Sequence, residues 1–465
     1  MGGPREPADS GLGTVESARA GVTEGPGRSL GLGAAIALVI GNVVGTGIFL
    51  LPASLAAFGT VSIVAMGAVT VGAIAMAMVF GRLGARIPAA GGPYAYARDA
   101  FGEFAGFWNA WSFWLTAWIG NAAIAVAWVG YVQHFVRELF GLDWGATAAA
   151  IVIALVGVWI PAAVNLRGAR NMAAFQVVTT VLKFAPLLFV AVVGLFFVQG
   201  ANFGPFNATG GNLVAAVSLA GAVALFIYSG VESVSIAAEK VKDPVRNIGR
   251  ASVIGVLACA VLYMLSTVAV MGTVPYARLT ESSAPFADAI NNMFGGSAGG
   301  VAMAACAIVS GIGALNGWTM LVAEMPKAAA QDGMFPDFFA RESPRGAPVV
   351  GILVGSILTS LMLLVAYSSK NAFNTIVLLA SFTTVIPYFF SACAQLFWLV
   401  TGEREVRRGR LARDLVITVV ALVFAFWMAY GSGAEAVLGG TLMLLVGVPV
   451  YIWVKSRRGE YGPKV

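Results

Sequence analysis

The strongest constraint in this sequence is a recurrence. Apolar stretches of about 18 to 25 residues return along the chain, each long enough to cross about 30 Å of hydrocarbon as a helix. Twelve can be drawn, at 31–57, 60–81, 104–133, 145–165, 172–199, 212–238, 251–274, 296–324, 349–367, 372–400, 414–432 and 436–454. A spanning β-barrel would alternate apolar and polar residues in strands of about ten, and these stretches do not alternate. Composition agrees: 59% of the 465 residues are apolar and 11% charged, where soluble domains carry about 25% charged residues. The prediction is an all-α integral membrane protein with twelve transmembrane helices and the lipid bilayer as its solvent.

Charge sets the orientation. All but four of the 28 lysines and arginines fall in the tails and loops predicted to face the cytoplasm. The exceptions are Arg137, Arg278 and Lys370 on the opposite side and Lys183 inside a span. This positive-inside bias places both termini in the cytoplasm of a cell inner (plasma) membrane protein. The net charge of +6 thus reports topology and is no argument for a nucleic-acid partner. Residues 1–29 are rich in Gly, Glu, Ser and Pro and lack an apolar region, so they read as a disordered cytoplasmic tail. Residues 30–455 are expected to form one membrane-spanning domain and 456–465 the cytoplasmic C-terminus.

Several chemistries have no support. Cys259, Cys306 and Cys393 all lie in predicted spans without paired spacing, and His134 is the only histidine. Neither a disulfide framework nor a His-based metal site follows. No G-x-x-x-x-G-K-[ST] phosphate loop and no nucleophilic triad is present. The expectation is therefore no enzyme, no cofactor and no metal.

Two predicted spans look broken midway. Span 1 contains Gly41-Asn42-Val43-Val44-Gly45-Thr46-Gly47-Ile48-Phe49, and span 6 contains Ile227-Tyr228-Ser229-Gly230-Val231-Glu232-Ser233. Each glycine costs a helix about 1 kcal/mol, so three within seven residues invite unwinding. Unwound backbone at membrane depth is tolerated only under protein cover or beside a water-filled cavity. The two breaks occupy corresponding places if residues 31–200 and 212–400 are two five-span halves, with 414–454 adding two further helices. Such a pair points to an inverted-repeat transporter with a midplane site. The competing explanation is that the glycines only let helices pack closely.

A few polar groups stand at membrane depth. A carboxylate at Glu232 costs several kcal/mol unless it is paired, solvated or protonated, so it reads as a proton-sensitive or cation-attracting group. The alternative is a structural carboxyl bonded to the break in span 1. Lys183, alone in span 5, either meets carbonyls freed by that break or reaches back to the interface. Glu324, at the inner end of span 8, reads as an interfacial or gating carboxylate. On span 3, Thr116, Gly120 and Ile124 share a face with Ala117 and Asn121 beside them. Trp318 follows Gly311, Gly313 and Gly317 and reads as filling space in a close-packed bundle.

The span 1 motif resembles the first-helix signature of the amino acid–polyamine–organocation permeases. Further matches are Gly91-Gly92-Pro93-Tyr94-Ala95-Tyr96-Ala97-Arg98, Gly230-Val231-Glu232-Ser233, and Ala328-Ala329-Ala330-Gln331-Asp332-Gly333-Met334-Phe335-Pro336. The resemblance runs from about residue 30 to 455 and is closest to the basic amino acid/polyamine antiporters of arginine–agmatine type. It implies a LeuT-like fold of two inverted five-helix repeats plus two helices, and suggests a homodimer. Val43, Gly45, Thr46 and Gly47 would then hold the substrate's carboxylate and amine, with Thr116, Ala117, Asn121, Ile124, Phe226 and Ser229 lining the pocket. Trp318 would close over the substrate, Ala380 would sit near its far end, and Glu232 would respond to pH. Phe226, Trp318 and Tyr388 would gate the site. Lys183 resembles the lysine of proton-coupled and sodium-independent relatives, which argues against sodium coupling.

The sequence departs from the arginine–agmatine pattern at four positions. Phe226 replaces a tryptophan that stacks on the guanidinium, Phe113 a tyrosine, Ser229 an isoleucine and Ile124 a methionine. Phenylalanine keeps a weaker cation–π face. The expected function is alternating-access transport of an amino acid, with exchange of a cationic amino acid or amine first and proton symport of a small neutral amino acid second. A channel or transporter-like receptor would need a continuous polar lining, which the few scattered mid-span charges do not supply.

Overall fold

A chain can cross hydrocarbon with its backbone groups paired internally only as a helix or a closed barrel, and this one is helical. A computed structural model describes residues 30–459, apart from 88–90, 144–146, 168–171, 239–240, 370 and 402–407. It describes the backbone alone for Thr46, residues 172–178, Thr180 and residues 408–410. The N-terminal tail predicted at 1–29 lies outside the described residues, as do residues 460–465 of the predicted C-terminus. Among the described residues the β pairing amounts to one isolated parallel bridge, between Leu30 and Val241.

The helices are, in chain order, α1 (Leu32–Val43), α2 (Leu51–Ala56), α3 (Val61–Arg86), α4 (Pro93–Phe101), α5 (Glu103–Phe140) and α6 (Thr147–Leu166). Next come α7 (Met172–Val193), α8 (Leu213–Leu225), α9 (Ser233–Ile236), α10 (Pro244–Thr273), α11 (Tyr276–Leu279) and α12 (Pro285–Phe294). The chain closes with α13 (Ala298–Gln331), α14 (Val349–Ala366), α15 (Ala372–Thr401), α16 (Arg408–Gly431) and α17 (Gly433–Arg457). Among the described residues nine helices are long and apolar enough to cross a membrane, namely α3, α5, α6, α10 and α13–α17. Three shorter apolar segments, Leu32–Val43, Val181–Phe197 and Leu213–Tyr228, fall within predicted spans 1, 5 and 6.

Burial sorts these helices. The most apolar window of α5 is 89% buried, against 28% for both α16 and α17. Helix α5 therefore forms the axis of the bundle, packed on α13 and α15, while α16 and α17 flank it with apolar faces exposed. Helix α10 packs along α3 and carries α1 on its other side. Small residues set these distances: a side chain at Gly81 would run into the backbone of Gly249 where α3 crosses α10.

Both glycine-rich spans are interrupted. Helix α1 ends at Val43, Val44 and Gly45 leave helical geometry, and a 3₁₀ turn at Thr46–Phe49 restarts the path toward α2. Helix α8 runs into a 3₁₀ turn at Phe226–Tyr228, Ser229 is extended, and α9 begins at Ser233. Gly230 adopts φ +110°, a conformation that L side chains rarely take. The two breaks face each other. A Cβ at Gly230 would stand 3.0 Å from the Asn42 carbonyl carbon and 3.2 Å from Val43 N.

Candidate functional site

Each break frees backbone groups, and their partners can be traced. The last carbonyls of a helix have no partner within it. At the end of α1, Ile40 O accepts from Val44 N at 2.9 Å, and Val43 O accepts from Gly45 N at 2.8 Å. Two side chains from other helices supply further donors. Lys183 Nζ on α7 donates to Gly41 O at 3.2 Å, and the Tyr263 hydroxyl on α10 donates to Val43 O at 2.8 Å. Beyond the break, the Tyr131 hydroxyl on α5 donates to Phe49 O at 2.8 Å and accepts from Phe286 N at 3.3 Å. The irregular strand of backbone is thus held from three sides by buried donors.

The second break is organised by Glu232, whose side chain is 3% exposed. Its two carboxylate oxygens accept from Gly230 N at 3.2 and 3.3 Å, and Oε2 also accepts from the Tyr388 hydroxyl at 3.1 Å. The Ser233 hydroxyl donates to Gly230 O. The carboxyl therefore closes the turn that brings Gly230 against Asn42, and ties it to α15 through Tyr388. Tyr388 in turn packs edge-on against Phe80 of α3, with ring centroids 5.4 Å apart.

A cavity lies between the breaks. From α1 and its continuation it takes Asn42, Val43, Gly45, Gly47 and Ile48; from α5, Thr116, Gly120 and Ile124. The second break supplies Phe226, Ile227 and Ser229, α10 supplies Tyr263 and α13 supplies Trp318. The space open to the centre of a water molecule is about 20 Å³, room for about one water. This is a closed arrangement. The Phe226 ring takes the place of side chains at Gly47 and Gly120, where an added Cβ would stand 2.8 and 3.3 Å from its edge. Ser229 Oγ lies buried on this cavity without a hydrogen-bond partner among the described residues.

Eight of the twelve residues expected to bind substrate line this cavity: Val43, Gly45, Gly47, Thr116, Ile124, Phe226, Ser229 and Trp318. Of Thr46 only the backbone is described, so its hydroxyl lies outside what can be placed. Ala117, Asn121 and Ala380 are not among the lining residues. Asn121 is turned toward α13, donating to Thr319 Oγ1 at 3.3 Å. Ala380 sits behind Thr116, which donates to Thr383 Oγ1 at 2.8 Å; the Thr383 and Thr384 hydroxyls both donate to Ala380 O. Glu232 and Lys183 stand one layer out and hold backbone of the two breaks, and Tyr388 is bonded to the Glu232 carboxylate. Glu324, on α13, meets Lys327 at 2.9 Å, and that lysine also bridges to Glu342 at 2.5 Å.

Sequence reasoning did not single out Tyr263 or Ile227. A lone tyrosine in an apolar span signals that its hydroxyl needs a buried acceptor, but not which one.

Comparison with known proteins comes to the same region of sequence space. A family model described as amino acid permease matches residues 30–454. The arginine/ornithine antiporter of Pseudomonas aeruginosa is 32% identical over 448 residues, covering 93% of this chain and 92% of that protein. The putrescine transporter PotE of Escherichia coli K12 is 31% identical over 424 residues, covering 90% and 94%. The arginine/agmatine antiporter of Chlamydia pneumoniae is 27% identical over 440 residues, covering 91% and 90%.

Proposed function

This chain belongs to the amino acid permease family, and from that premise we propose that it exchanges cationic amino acids or amines across a membrane by alternating access. The observation that carries the proposal is the cavity between the two broken helices. Carbonyl groups at the end of α1 offer partial negative charge to an amine, and the restarted segment at Thr46 offers N–H groups and positive dipole to a carboxylate. Phe226 and Trp318 present aromatic faces that can cover a cation. The unpartnered Ser229 hydroxyl adds one polar contact. Entry of a substrate requires these side chains to move, because the closed cavity has room for about one water.

The chain is a multi-pass membrane protein. Nine long apolar helices and three shorter apolar segments support our reading of twelve spans with two inverted five-helix repeats and two added helices. The distribution of lysine and arginine supports cytoplasmic termini in the plasma membrane. We assign Glu232 as the group through which pH acts, because it closes the turn at the second break and has Tyr388 as a partner. Lys183 takes the role of a fixed cation on Gly41 O, which argues against sodium coupling. The exposed apolar faces of α16 and α17 suit lipid or a second copy.

One observation favours a second reading. Among the described residues no charged side chain lines the cavity, which also fits a small neutral amino acid carried with a proton. Competition decides between the two: purified protein is loaded with labelled arginine, and ornithine, agmatine, putrescine, alanine and leucine are offered as displacers. The exchange reading expects the cations to displace the label and the neutral amino acids to leave it bound. Displacement by alanine or leucine alone would overturn it in favour of the second.

A further inference from the structure

The one histidine of the chain has no part in the central site, yet it is buried. His134 lies near the far end of α5 and is 2% exposed. Lys455, in the last turn of α17, pairs with Glu103 at the start of α5, so His134 stands on the face opposite that helix end. Its Nε2 is buried without a hydrogen-bond partner among the described residues. Its Nδ1 stands 4.0 Å from Asp288 Oδ1 on α12, beyond hydrogen-bonding distance. A neutral imidazole carries one donor and one acceptor, and burying either without a partner is unfavourable.

The carboxylate is fixed on its other side. The Ser282 hydroxyl donates to Asp288 Oδ2 at 2.5 Å, and Ala284 N donates to that hydroxyl at 3.3 Å. Oδ1 is the oxygen that faces the imidazole. The same two elements are joined one turn away. The Tyr131 hydroxyl accepts from Phe286 N at 3.3 Å while donating to Phe49 O, and Phe286 meets Phe49 edge-on, with centroids 5.4 Å apart. A Cβ at Gly130 would stand 2.2 Å from Ser283 O. One face of α5, from Gly130 to His134, therefore carries α12 and the turn before it. Phe49 ties that contact to the restarted segment after α1, whose Gly47 and Ile48 line the central cavity.

Among the described residues, the charged groups that act on His134 are Asp288 from α12 and, on α5 itself, Arg137 and Glu138. Those last two are 3.7 Å apart and largely offset one another, which leaves Asp288 as the partner. Arg278 of α11 and Glu281 after it precede Ser282 in the chain. Histidine is the side chain that ordinarily changes charge near physiological pH. A proton on His134 would turn the 4.0 Å contact into a charge-assisted bond, and such bonds close to about 2.7–2.9 Å.

We propose that His134 is a proton-binding site that works α12 as a latch: the proton draws α12 onto α5 and holds the path to the cavity shut on that face, and its loss releases it. The role in transport rests on the exchange reading above. The site is distinct from Glu232, which closes the turn at the second break.

Because the chain has a single histidine, NMR of the histidine-labelled full chain in lipid nanodiscs reads the site directly and without substrate. The imidazole signal should titrate between about pH 5 and 8, and Asp288→Asn should lower its midpoint by about one pH unit. Exchange of arginine for ornithine is then followed in right-side-out proteoliposomes with the lumen buffered. Acidifying the outer medium over the same range should slow wild-type exchange about fivefold. His134→Gln should keep the wild-type rate at the alkaline end and lose the slowing. An imidazole that does not titrate, a midpoint unmoved in Asp288→Asn, no slowing in the wild type, or slowing that survives in His134→Gln would overturn the proposal. No exchange of any cation, beside a histidine signal that titrates and answers to Asp288→Asn, would fail the exchange reading and uphold the proton site.

Discussion

Two glycines, one from each broken helix, should respond to alanine in opposite ways. Gly230 has φ +110°, and a Cβ there would meet backbone atoms alone: Asn42 C at 3.0 Å, Asn42 O at 3.1 Å and Val43 N at 3.2 Å. Holding a non-glycine residue in such a conformation costs about 1–3 kcal/mol. Overpacking against atoms that cannot rotate away adds about 1–3 kcal/mol. Gly230→Ala should therefore cost about 2–6 kcal/mol in the arrangement that apposes the breaks. Even 2 kcal/mol corresponds to about a 30-fold fall in exchange rate and, for a chain of this length, to a melting midpoint lowered by about 2 °C or more. Gly41 lies in α1 with nothing within 4 Å of an added Cβ. Gly41→Ala gains up to about 1 kcal/mol of helix propensity and should melt at or above the wild-type midpoint. Both variants are measured by thermal unfolding in nanodiscs and by exchange in proteoliposomes. A Gly230→Ala protein that melts and exchanges like wild type would refute the argument that backbone contact between the breaks builds the site.

Other perturbations follow from the same geometry. Trp318→Ala removes one aromatic wall of the cavity and should weaken arginine binding about tenfold, whereas wild-type affinity in a binding titration would leave Trp318 a packing residue. Glu232→Gln keeps the shape but not the titratable group, so the pH profile of exchange should flatten; an unaltered profile would remove Glu232 from proton coupling. Tyr263→Phe deletes the 2.8 Å bond to Val43 O and withdraws a partner from a buried carbonyl, at about 1–3 kcal/mol. Its midpoint and substrate affinity should both fall, and a change in neither would mean that the hydroxyl is idle.

How much of this could be read from sequence depends on what each residue does. The two breaks were legible because glycine acts locally: Gly45 and Gly47 in one span, and Gly230 in the other, weaken helix wherever they stand. The long apolar helices were equally legible, since length and composition alone define them. The span 3 face was partly so. Thr116, Gly120 and Ile124 are four apart and point into one cavity, but Ala117 and Asn121 lie about 100° further round, where α13 offers Thr319. A spacing rule gives the face of a helix without the width of the cavity it meets. Tyr263 was out of reach for another reason. Its role depends on a partner 220 positions away, Val43, and nothing in the local sequence names a distant carbonyl. For Trp318 and Ser229 the local sequence signalled only a close-packed span and a helix break, and their place at a substrate came from family resemblance.

The central claim is exchange, and counterflow into proteoliposomes tests it most directly. Vesicles holding the purified chain are loaded with unlabelled arginine, ornithine or putrescine, or left empty, and labelled arginine is added outside. Exchange through the cavity between the broken helices predicts rapid uptake into loaded vesicles and none into empty ones, with or without a pH gradient. Equal uptake into empty vesicles driven by a pH gradient would contradict it and make the chain a symporter.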